Sequence, residues 1–169
     1  MARWGSADYA QLKALADRLQ KLESDSRVQK FCEACSKELA ARLLALVIPR
    51  TPVGQYPEDA GKNGGTLRRG WTAGKNVSAA SYTGNLPVQK QGSTYTIEVI
   101  NPVEYASYVE FGHRQTPGRY VPAIGKRLKA NWVNGKYMLT ISEYDLEQIA
   151  PRVLEKKLEG FFREVFDGT

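Results

Sequence analysis

Residues 101–114, NPVEYASYVEFGHR, decide how this chain is read. They follow TYTIEVI at 94–100, where Tyr95, Ile97 and Val99 alternate with Thr94, Thr96 and Glu98. That period of two predicts a half-buried strand. Asn101-Pro102 ends it. Tyr105, Tyr108, Val109 and Phe111 then fit a short helix whose aromatic side chains pack on a sheet, and Gly112 is its stop. Beyond His113 and Arg114 no acidic residue occurs until Glu143. The segment therefore predicts a strand end, a short packed helix and the start of a basic arm.

Upstream, LPVQK at 86–90, then QGS, then 94–100 predicts a hairpin. Before it, LRRGW at 67–71 is expected to open a strand anchored by Trp71, which would place Arg68 and Arg69 on opposite sides. Residues 51–66, TPVGQYPEDAGKNGGT, hold two Pro and four Gly and predict a loop. Lys62 in that stretch lacks the spelling of a phosphate-binding loop. The strongest helix signal ends at Arg50, because Pro52 disfavours the α region at Thr51. Its apolar face carries Val28, Phe31, Cys32, Cys35, Leu39, Leu43, Leu46 and Val47, and Ser24-Asp25-Ser26 offers an N-cap. Leu12, Leu15, Leu19 and Leu22 predict a further helix over about 7–23.

Downstream, residues 113–136 read as an irregular basic loop with a tight turn at Asn134-Gly135. A loop of that length suits a contact arm. Residues 143–166 form the helical C-terminus, starting at Ser142, Glu143 and Asp145, with Pro151 expected to kink it or to begin a second helix. The expectation is one α+β domain over 1–169. A small antiparallel sheet of three to four strands packs against the long helix in the N-terminal half, with long loops at 51–66 and 112–136.

With 169 residues and 42% hydrophobic content, the chain is long enough to bury a core without disulfides or metal. No apolar run is long enough to span a membrane, and the first residues lack the apolar stretch of a secretory signal, so a soluble cytosolic product is expected. Cys32 and Cys35 spell C-x-x-C, but no second ligand pair accompanies them and they fall inside the helical pattern, where thiols act as small hydrophobes. His113 is the lone histidine. Nothing positive supports a nucleophile–base set, an acid pair or a cofactor site, and no enzyme is expected.

The net charge of +6 is unevenly spread. Residues 60–142 hold eleven Lys or Arg against three acids, and residues 143–169 hold four against seven. Such a middle could meet nucleic acid through phosphates, without sequence preference, or meet an acidic face on another copy.

RTPV at 50–53, TLRRGW at 66–71, VIN at 99–101 and YASYVEFGH at 105–113, in that order, resemble the neck and tail-completion proteins of long-tailed bacteriophages, prophages and phage-tail-like particles. The family pattern departs here in the inserted QYPEDAGKNG, in Gly70 before Trp71, and in the long stretch after His113. The resemblance implies a small sheet packed on helices and a homo-oligomeric ring, six-fold, joining the tail end to the head connector. It implies neighbours in the head-closure and tail-terminator or tail-tube proteins, a location in the virion after synthesis in the host cytoplasm, and neither enzymatic activity nor a cofactor. Arg68, Arg69, His113, Arg114, Arg119, Lys126, Arg127 and Lys129 are the residues expected at an assembly joint or a DNA-facing lumen. Trp71, Tyr105, Tyr108 and Phe111 are expected to pack the organising segment. A sequence-independent nucleic-acid-binding protein using the 112–136 loop is the alternative.

Overall fold

A computed structural model describes residues 26–58, 61, 63–122 and 125–167, together with the helical positions 13, 17 and 20. The rest of the helix expected over 7–23 lies outside the described residues. The elements are α1 (Ser26–Arg50), α2 (Thr66–Gly70), α3 (Ala79–Gly84), β1 (Val88–Gln91), β2 (Thr94–Ile97), α4 (Ala106–Phe111), β3 (Gly112–Arg114), β4 (Tyr120–Val121), β5 (Lys126–Arg127), β6 (Trp132–Asn134) and α5 (Met138–Asp167).

The mixed class holds, with a long helix in each half of the chain and antiparallel pairing throughout. Among the described residues, however, the strands divide among three two-stranded ladders, β1–β2, β3–β6 and β4–β5, where one sheet of three to four strands was expected. The chain leaves its pairing after Ile97, and residues 98–101 join no strand, so the first hairpin is not continued into a wider sheet. The β1–β2 hairpin turns at Gly92-Ser93, with Gly92 at φ 61 and Gln91 opposite Thr94. That left-handed position suits a residue without Cβ.

α1 packs on α3, α5 and the β1–β2 hairpin. Its most buried positions are Cys35, Ala40, Leu44 and Val47. Leu44 and Ala40 were absent from the face expected from the sequence, whereas Leu39, Leu43 and Leu46 lie at its half-buried margin. The core joins Leu44 and Val47 to Leu67, Trp71 and Met138, with Val99, Val103, Ala106 and Val109 packed against it.

Trp71 does not open a strand. LRRGW forms a helical turn directly after the left-handed Gly65 (φ 91), and Trp71 is its C-cap. Its indole Nε1–H donates to Thr51 Oγ1 at 2.7 Å, and the Thr51 hydroxyl donates to Val47 O at 2.8 Å. Arg68 donates to Thr51 O at 3.0 and 2.7 Å and to Pro49 O at 3.3 Å. These carbonyls belong to the end of α1, where the helix ladder leaves them without internal partners. The RTP and LRRGW stretches thus form one latch that closes α1.

α5 begins at Met138, one turn before the acids at 143–145, and runs unbroken through Pro151. Pro151 is exposed, so a missing backbone donor there is on the solvent side. The expected start residue Ser142 is buried inside the helix and donates to Met138 O. The amides of its real start are satisfied from elsewhere in the chain.

Candidate assembly surface

α4 sets out the geometry of the organising segment. Val103, Ala106 and Val109 face the core at helical spacing, and Glu110 beside them is only 5% exposed. The Glu110 carboxylate accepts from Leu139 N–H, Thr140 N–H and the Thr140 hydroxyl, all within 2.8–2.9 Å. A carboxylate at a helix N-terminus meets free amides and the positive end of the helix dipole. The Glu110 carbonyl also accepts from Tyr137 N–H, and Val109 O from Lys136 N–H. One residue of α4 therefore anchors the start of α5 by both backbone and side chain.

With that face inward, the other helical stripe must point out. Tyr105, Tyr108 and Phe111 are 43%, 57% and 61% exposed, which corrects the expectation that they pack the segment. Both stripes recur at three-residue spacing, and the smaller aliphatic one fits against Leu67 and Trp71. Trp71 alone of the four expected packing residues is buried.

The stretch after Gly112 is not an irregular loop. Gly112 (φ 85, ψ 172) turns the chain out of α4, and β3 pairs with β6 so that Arg114 lies opposite Trp132 and His113 opposite Val133. The pairing is carried on by Gln115 N–H to Asn131 O, Gly118 N–H to Leu128 O and Leu128 N–H to Arg119 O. β4 and β5 then set Tyr120 opposite Arg127. The result is a two-tiered β-arm. Asn134-Gly135 is the arm's return to the body, correcting its reading as a hairpin turn. A Cβ on Gly135 would lie 2.3 Å from Glu110 O, and one on Gly112 would lie 2.4 Å from Val133 O. Two glycines allow the arm's strands to leave side by side against α4.

The cations expected at the surface fall into two groups. Arg68 belongs to the latch, and Arg69 donates to Gly64 O. On the arm, Arg127 donates to Gly118 O and lies over the Tyr120 ring at 6.0 Å. His113 is half-buried beside the Tyr108 ring, 5.7 Å between centroids. Arg114, Arg119, Lys126 and Lys129 are exposed along the arm, which brings them together with Trp132 and Tyr120 and leaves Arg68 and Arg69 apart. The short β-forming runs RYV at 119–121 and NWV at 131–133 were the signal of β structure at 113–134 that sequence reasoning missed.

A groove of about 400 Å³ lies between α1, β2 and α5, lined by Leu39, Ala40, Leu43, Ile97, Val99, Leu139 and Leu146, with Glu143 the one charged residue on its wall. Burial raises the Cys35 thiol above its ordinary value of 9.0. Among the described residues no group of three His, Cys, Asp or Glu side chains could hold a metal ion, and no helix is long and apolar enough to cross a membrane.

The described residues thus form a core and, outside it, a basic and aromatic β-arm. A family model described as "Bacteriophage HK97-gp10, putative tail-component" matches residues 13–112, more than half of the chain. The chain belongs to this bacteriophage tail-component family, and its role is a structural one in a virion. No curated protein and no solved structure matches it. The matched span ends at Gly112, where the arm begins.

Proposed function

We propose that this tail component is a neck or tail-completion protein, a homo-oligomeric ring that joins the end of the tail to the head connector and leaves a passage for DNA. The β-arm carries this reading. It is held at its root by Gly112, Gly135 and Glu110, and it projects exposed cations and aromatics that the chain's own core does not use. A cyclic assembly other than a two-fold dimer requires two different surfaces that recognise each other. A six-fold ring, with head-closure and tail-terminator or tail-tube proteins as neighbours, follows from the resemblance in residues 50–53, 66–71 and 105–113.

The same arm could meet nucleic acid, through phosphates alone. Of the seven Arg and Lys residues named for either role, Arg68 and Arg69 lie off the arm, and Arg127 on the arm already donates to Gly118 O. Purified protein separates the two. Rings in negative stain, or co-assembly with tail proteins, support the neck reading. Salt-sensitive DNA binding by a protein that enters no particle contradicts it.

A further inference from the structure

The arm and α5 offer complementary surfaces. On the arm, each ladder pairs one arginine with one exposed aromatic, Arg114 with Trp132 and Arg127 with Tyr120. Side chains directly opposite in an antiparallel pair share a face. Residues 114–136 contain no carboxylate. Aromatic and arginine side chains are the types that anchor protein interfaces.

On α5, Tyr144, Gln148, Pro151, Glu155, Leu158 and Phe162 recur at four- and three-residue intervals, and all are exposed. They form one stripe along the outside of the helix, opposite the face that packs on α1. Glu147 and Glu159 flank it, and neither they nor Glu155 hold an ion pair among the described residues. With Arg152 and Arg163 exposed on its Glu159 side, the stripe is apolar with a small acidic excess, three Glu against two Arg, where the arm is aromatic and basic throughout.

We propose that the arm of one copy docks along the outward stripe of α5 of a second copy, with Trp132 and Tyr120 against Tyr144, Leu158 and Phe162, and the arm's free cations against Glu147, Glu155 and Glu159. This rests on the ring reading for its stoichiometry, since an arm-to-helix contact repeats head-to-tail from copy to copy. Charge complementarity selects a second copy as the occupant, because the chain supplies both signs on separate surfaces.

The test uses charge exchange in the full chain, read by sedimentation velocity with circular dichroism as the folding control. Arg114→Glu with Arg119→Glu should weaken self-association at least about tenfold, as should Glu155→Lys with Glu159→Lys. Mixing the two variants, or combining all four changes in one chain, should restore it. Association that survives both reversals, or that neither mixing nor the combined variant restores, overturns the pairing and leaves the ring reading standing. A wild-type chain that stays monomeric to about 1 mM also overturns the pairing. Assembly that stops at a dimer and is rescued by exchange supports the pairing and contradicts the ring.

Discussion

Glu110 and Thr140 are joined twice: one carboxylate oxygen accepts from the Thr140 backbone N–H at 2.9 Å and from its hydroxyl at 2.8 Å. The other oxygen takes Leu139 N–H. Glu110→Ala leaves these part-buried donors without their acceptor and should cost about 1–2 kcal/mol, as for the loss of a helix cap. Glu110→Gln keeps an acceptor but loses the charge and should fall between the two in urea unfolding. An Ala variant as stable as wild type would show that the cap contributes nothing.

The latch at the end of α1 is open to a similar test. Thr51→Val preserves shape but removes the acceptor of the Trp71 indole, leaving a buried N–H unpaired. A loss of about 1–3 kcal/mol is expected. Arg68→Ala should add to it non-additively, because both act on the same backbone turn. A double mutant whose loss equals the sum of the singles would mean that the two contacts act independently.

Orientation of α4 separates its two stripes by their effect on stability. Tyr108→Ser should change it by no more than about 0.5 kcal/mol, the usual range for a surface site, whereas Val109→Ala should cost about 1–3 kcal/mol. The reverse order in thermal or urea unfolding would restore the aromatic stripe to the core.

Cys35 gives a dependence on pH. Its thiol is raised chiefly by burial, with Lys157 opposing and Cys32 and Glu38 adding. The folded chain therefore holds this proton more tightly than the unfolded one. That contribution is fully present below the ordinary thiol value of 9.0 and is lost as pH rises through the raised folded value. Cys35→Ala should flatten the alkaline decline in stability. Native alkylation at mildly alkaline pH should modify half-buried Cys32 ahead of Cys35; equal rates would contradict the placement.

Much of this architecture was legible in the residues. The long α1, the Gly92 hairpin and the Gly112 stop follow from local patterns that local chemistry enforces, whereas the strand expected over 94–100 ends already at Ile97. The errors came where two patterns were equally regular. Val103, Ala106 and Val109 repeat as well as Tyr105, Tyr108 and Phe111, and only contact with Leu67 and Trp71 chooses between them. Asn134-Gly135 has turn chemistry, but Gly135 serves a close approach to Glu110 O, a contact made across the fold. The start of α5 was misplaced because its cap is Glu110, whereas sequence signals look for caps just before the helix. For the surface residues, the carboxylate-free run revealed the basic arm, but nothing local showed that Arg68 belongs to the latch or that Arg69 binds Gly64 O.

The proposed place of this chain is in the assembled particle, at the tail's head-proximal end. Imaging of purified particles, with this chain carrying a C-terminal tag visible by labelling, tests it most directly. A ring of labelled density at that end is expected, lost when residues 116–129 of the arm are replaced by a short turn and the chain still folds. Label absent from complete particles, or an arm-deleted chain that enters them normally, would contradict it.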